Sequence, residues 1–116
     1  MDYNKTFVLT KDVAATTAGV EFVFSFPNSF LIRKMYVVTQ VAGVAATHKI
    51  EIQAVAGTVY AVCTVGTTAI STYKAADAEI TEANRIHAGG TVLRVVTTNN
   101  ESTGKYRVFI VGAHQE

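Results

Sequence analysis

Apolar residues in this chain return at every second position, and almost nowhere at the three-and-four spacing that lines one face of a helix. The clearest stretch is residues 20–26, where Val20, Phe22, Phe24 and Phe26 fall on one side and Glu21 and Ser25 on the other. A ribbon with this period presents its apolar side chains to one face of a pleat, so it must pair with other ribbons and stack against a second layer to bury them. Residue usage agrees: 17 Val, 16 Thr and 16 Ala stand against one Pro and no Trp, and β-branched side chains pack well on a pleated surface.

Read this way, the chain divides into eight strand segments: residues 6–10, 20–26, 30–42, 48–54, 58–65, 84–87, 91–98 and 105–113. Residues 11–19 read as a loop, and Pro27, Asn28 and Ser29 as a turn. Ala56-Gly57 predicts a tight antiparallel hairpin between the fourth and fifth segments. Arg33 and Lys34 are adjacent inside the long third segment, which predicts a bulge or bend there and suggests a strand that crosses between two sheets. Residues 67–83 carry no two-residue period and read as a long loop, with a short helix within 75–83 as the alternative. Eight short strands with few helix signals predict an all-β fold, an eight-stranded antiparallel β-sandwich of jelly-roll type, with an immunoglobulin-like sandwich as the alternative.

The 116 residues suit one domain, 1–116, because two independent cores of half that size would each be marginal. Lys and Arg number 10 against 9 Asp and Glu, a net charge of +1. That balance supplies no electrostatic reason for a nucleic-acid backbone or an anionic membrane to be the main partner. Cys63 stands alone, so no intrachain disulfide framework is available and a reducing compartment of synthesis is expected. The first residues lack the basic patch and apolar run of a signal peptide. Residues 35–47 are too short and too β-branched for a membrane span of roughly 20 residues.

Residues with chemical potential are scattered. His48, His87 and His114 form no zinc-ligand spacing and read as satisfied or solvated strand-end side chains. Cys63 alternates with Ala61 and Val65, which places it on the apolar face of its strand as a small hydrophobe rather than a nucleophile. Asp77, Glu79 and Glu82 form an acidic cluster that calcium would suit only if the loop wrapped the ion, and the EF-hand spacing is absent. Gly89-Gly90 reads as a turn, since no Lys-Ser/Thr and helix follow to cradle phosphate. No catalytic, cofactor-binding or metal residue is assigned, and an enzyme is not expected.

The informative feature is two-sided apolarity near the end of the chain. Leu93, Val95 and Thr97 alternate with Val92, Arg94 and Val96, while Tyr106, Val108 and Ile110 alternate with Arg107, Phe109 and Val111. One sandwich face needs one apolar set, so the second set is expected to be covered by loops, by the amino-terminal arm or by a partner. Val92, Arg94, Val96, Arg107, Phe109 and Val111 are therefore the candidate subunit or partner interface, the two arginines supplying polar contacts among apolar ones.

The run from Arg85-Ile86-His87-Ala88-Gly89-Gly90 through Thr91-Val92-Leu93-Arg94-Val95, followed by Lys105-Tyr106-Arg107-Val108-Phe109-Ile110-Val111-Gly112, resembles the closing strands of small jelly-roll proteins of tailed bacteriophages, the head decoration or cement proteins. The resemblance implies a virion accessory protein on the outer capsid surface, assembled in the host cytoplasm. Its implied partners are the major capsid protein and further copies of itself in a dimer or trimer. It brings no catalytic residues. The competing reading is a tail-fibre or carbohydrate- or receptor-binding sandwich, for which Tyr60 and Tyr73 are the candidate aromatic planes.

Overall fold

In the computed structural model, which describes residues 3–14, 18–45, 47–66, 69–98 and 103–116, the chain is a sandwich of two antiparallel sheets. The strands are β1 (Lys5–Ala14), β2 (Gly19–Phe24), β3 (Phe30–Val41), β4 (Lys49–Ala54), β5 (Val59–Thr64), β6 (Tyr73–Ala75), β7 (Ile86–His87), β8 (Leu93–Thr97) and β9 (Lys105–His114), with one short helix, α1 (Glu82–Arg85). Sheet A has the order β1-β9-β3-β6, with β7 also paired to β3, and sheet B the order β2-β8-β4-β5. Pairing is nested: first strand with last, second with next to last, inward to the β4-β5 hairpin.

The two-residue period builds the core directly. Ile50, Ile52, Cys63, Val65, Leu93 and Val95 of sheet B or its strand ends meet Phe30, Ile32, Met35, Val37, Tyr106, Val108 and Ile110 of sheet A, all nearly or wholly inaccessible. Phe22, Phe24 and Phe26 pack half-buried against this cluster. Tyr106 buries its ring and still satisfies its hydroxyl, which donates to the Gly66 carbonyl at 3.1 Å. The β4-β5 hairpin forms as its turn residues dictate: Gly57, at φ +100°, donates its N–H to the Ala54 carbonyl at 2.9 Å.

Several boundaries differ from the sequence reading. β1 continues to Ala14, because Lys11, Asp12, Val13 and Ala14 keep pairing with β9 where composition alone reads as a loop. Val20 does not share a face with Phe22. A bulge leaves Glu21 without a counterpart on β8, so Val20 turns outward and the Glu21 carboxylate accepts from the Thr97 hydroxyl at 3.0 Å. β3 does not cross between sheets; it stays in sheet A along its length, with bulges between Ile32 and Lys34 and between Thr39 and Val41 absorbing its curvature.

The expected loop 67–83 contains a ninth strand. β6 is only three residues long and owes its conformation to Tyr36, Val37 and Val38 on β3, too short a run for periodicity to reveal. The short helix, held as the alternative within 75–83, starts only at Glu82, at the end of that window, and takes Asn84 and Arg85 out of the expected 84–87 strand. β6 and β7 pair with the same edge of β3, at residues 36–38 and 30–31. They are two halves of one edge strand, interrupted by an excursion at residues 76–85. That excursion reaches over to the edge of sheet B, where the Asp77 N–H donates to the Val62 carbonyl at 2.8 Å and Asp77 Oδ1 accepts from the Thr64 N–H at 2.9 Å. The bridge closes one side of the sandwich and covers an otherwise open strand edge.

Candidate interaction surfaces

Strands β8 and β9 each send alternate side chains inward. On β8 these are Leu93, Val95 and Thr97, and on β9 Tyr106, Val108 and Ile110, all buried. The other set therefore points outward, as the alternation predicts. Because β8 lies in sheet B and β9 in sheet A, the outward sets lie on opposite sides of the sandwich. Val92, Arg94 and Val96 share one side; Arg107, Phe109 and Val111 share the other. The fold does not bring the six together into a single patch.

The outer face of sheet B mixes a polar centre with valines. In register order, Val20, Val96, Glu51 and Val62 form one row across the sheet, and Val23, Arg94, Gln53 and Val59 the next. Arg94 Nη2 donates to Gln53 Oε1 at 3.3 Å, and Gln53 Nε2 donates to Glu51 Oε1 at 2.8 Å. This relay occupies the centre of the face, and exposed Val20 and Val23 stand at its β2 edge.

Sheet A is aromatic on its outside. Phe109 of β9 lies in register with Tyr36 of β3, and their rings stack with centroids 4.7 Å apart and planes 11° apart. Tyr73 of β6 extends the run, its ring centroid 4.7 Å from that of Tyr36. Val111 pairs across β9 with exposed Val8 of β1. Asp12 and Arg107 face each other in register at one border. Arg107 donates from Nε to Oδ1 at 2.8 Å and from Nη2 to Oδ2 at 3.3 Å. The guanidinium lowers the Asp12 pKa, and the carboxylate raises that of Arg107. The outer face of sheet A thus has an aromatic centre with an ion pair at its border. β1 does not cover this face. It extends the sheet as an edge strand.

The residues weighed for chemistry stay apart. His48 is fully buried and stacks on Tyr106, with ring centroids 5.8 Å apart. His87 is buried between Phe30 and Tyr60 and donates from Nε2 to the Asn84 carbonyl at 2.8 Å; burial pushes its pKa down against that hydrogen bond. His114 stacks on Phe26, with ring centroids 4.7 Å apart. Burial, reinforced by the Asp77 charge, pushes the Cys63 thiol up to about 12, leaving a hydrophobe rather than a thiolate. Asp77 is committed to Thr64 and Lys74, whereas Glu79 turns to Arg85 at 3.8 Å. Among the described residues no three His, Cys, Asp or Glu side chains converge as a metal would need. Gly90 has φ +80° in the expected turn, and Gly89 packs so closely on Pro27 and Asn28 that a Cβ there would overlap their backbone. No helix among the described residues is long and apolar enough to cross a membrane. Of the two tyrosines considered as binding planes, Tyr73 is exposed, while Tyr60 turns half-buried against His87.

No protein-family model matches the chain, and no curated protein sequence matches it. In fold it is similar to a chain of the cyanophage Pam1 capsid asymmetric unit. The superposition has a TM-score of 0.52 and 15% identity, over 95% of this chain and 85% of that one. The likeness is therefore one of fold, and it runs nearly end to end between chains of comparable length.

Proposed function

We propose that this protein is a structural accessory component of a virus particle, without enzymatic activity, that docks on the outer surface of the capsid and staples neighbouring major capsid subunits. The observation that carries the reading is the end-to-end fold likeness to a small chain of a phage capsid asymmetric unit. The nested strand order supports the jelly-roll form of the sandwich, since it wraps the chain as two Greek keys do.

The aromatic outer face of sheet A, with Arg107, Phe109 and Val111, is the docking surface in this proposal. A face about ten residues long and four strands wide, at ~3.3 Å per residue and ~4.8 Å per strand, projects to on the order of 600 Å². That matches in order the ~800 Å² a standard interface takes from each partner. Only part of it is apolar, so one contact has modest affinity and retention comes from several copies acting together through a dimer or trimer. The opposite face, with Val92, Arg94 and Val96, serves contacts between copies. Adding the purified protein to particles that lack it, then heating them, tests the proposal. Binding with a raised disruption temperature is expected, and no binding with unchanged particle stability overturns it.

A further inference from the structure

The interruption of the edge strand leaves a cleft. β7 pairs with β3 at Phe30 and Leu31, and β6 at Tyr36, Val37 and Val38, with the Ala76 N–H donating on to the Met35 carbonyl at 3.1 Å, so among the described residues no strand pairs with that edge of β3 at residues 32–34. The bulge between Ile32 and Lys34 falls inside this gap and leaves both Arg33 and Lys34 exposed, where regular alternation would send one of them inward. A cavity of about 410 Å³ opens there, within the range that holds ligands. Arg33, Lys34 and Arg85 line it against the one carboxylate of Glu79, over a floor that includes buried Met35 and with exposed Tyr73 on its wall. Three cations against one anion contrast with a net charge of +1 for the whole chain.

Arg85 is positioned rather than loose. Its Nη2 donates to the Ile80 carbonyl at 2.9 Å, its contact with Glu79 is long at 3.8 Å, and its shielded Nε has no hydrogen-bond partner among the described residues. Arg33 and Lys34 make no ion pair among the described residues. A guanidinium held in place beside two cations without ion pairs among the described residues is an arrangement that favours an anionic group such as a carboxylate. The exposed Tyr73 ring and the accessible methyl groups of Ala75, Ala76 and Ala78 along the same cleft suit a carboxylate carried on a chain with apolar neighbours more than a free, fully hydrated anion.

We infer that the cleft between β3 and residues 76–85 binds an acidic polypeptide segment, seating its carboxylates on Arg33, Lys34 and Arg85. The site lies at the interruption of the edge strand, and its binding can be read on the isolated protein whether or not the protein binds particles. The test is a titration of the intact protein with a synthetic hexapeptide alternating glutamate and leucine, followed by amide chemical shifts. Shifts concentrated in 33–35, 73–80 and 85, weakened by salt, are expected. In Arg33→Ala/Lys34→Ala the affinity falls about tenfold, and Glu79→Gln tightens binding. If the double variant fails to fold, the single change Lys34→Gln gives the same reading with a smaller loss. The inference is overturned if the peptide causes no shifts, if the variants bind as the parent does, if a glutamine-leucine peptide binds equally well, or if inorganic phosphate at the same concentration produces the same shifts with equal affinity.

Discussion

Phe109 and Tyr36 stack almost parallel across β9 and β3, their centroids 4.7 Å apart, on the outside of the sandwich rather than in its core. Immediately beside them on the same strands, Ile110 and Met35 are buried within it. Adjacent residues thus serve different ends: one set holds the fold and the other dresses a surface. Truncation separates the two. Ile110→Ala is expected to cost about 2–5 kcal/mol, as loss of a buried aliphatic side chain does. Phe109→Ala, although it removes the larger side chain, forfeits mainly a stacked contact and is expected to cost about 1 kcal/mol. Urea denaturation of both variants measures the difference.

Gly112 is required by the close approach of β9 to its neighbours. A Cβ there would overlap the Leu31 carbonyl and the Phe7 ring. Gly112→Ala is expected to destabilise by about 1–3 kcal/mol through overpacking. Gly57 supplies the contrast: it is strained for any other residue by its φ of +100°, yet a Cβ there meets nothing within 4 Å. Its replacement by Ala is expected to cost about 1 kcal/mol, and thermal melts of the two variants rank them.

His87 makes stability pH-dependent. Its folded pKa lies below the ordinary 6.5 because burial disfavours the imidazolium. Between 6.5 and that lower value the unfolded chain binds more protons than the folded one, so stability rises with pH across the window and is lost as pH falls through it. Melting temperature is expected to drop as the pH is lowered below 6.5, and less steeply in His87→Gln, which retains a donor for the Asn84 carbonyl. Equal slopes for the two proteins would remove His87 as the cause.

Cys63 is expected to resist alkylation in the folded state. It is fully buried, with a pKa pushed up to about 12, and its Sγ lies 3.5 Å from the Ala75 carbonyl. At about pH 8 iodoacetamide should modify it only when the protein is unfolded, because the thiolate is the reactive form. Mass spectrometry with and without denaturant checks this.

Much of the fold was legible because alternation reports which side chains face the core. Ile50 and Ile52, Leu93 and Val95, and Val108 and Ile110 are buried where the period puts them, and Gly57 marks the hairpin turn. What alternation does not carry is the identity of the neighbouring strand. β6 exists because β3 supplies a pairing edge, and Val20 turns outward because a bulge forms against β8. The interface candidates show the same boundary. Arg94 and Arg107 were both readable as outward-facing, but their placement on opposite sides depends on β8 and β9 joining different sheets. The cleft at Arg33, Lys34 and Arg85 draws on segments about fifty residues apart. The adjacent cations and the bend at Arg33 were visible in sequence. Arg85 was placed beside them only by the interrupted edge strand.

The most direct measurement of the docking proposal is quantitative co-sedimentation with particles that lack the protein. The native chain, Phe109→Asp on the sheet A face and Val96→Asp on the sheet B face are compared at equal concentrations, each first shown to be folded. The account predicts saturable binding by the native chain, its loss in Phe109→Asp, and saturable but weaker binding in Val96→Asp, which keeps the docking face and loses contacts between copies. Failure of the native chain to bind, or binding of Phe109→Asp at the native level, would contradict it.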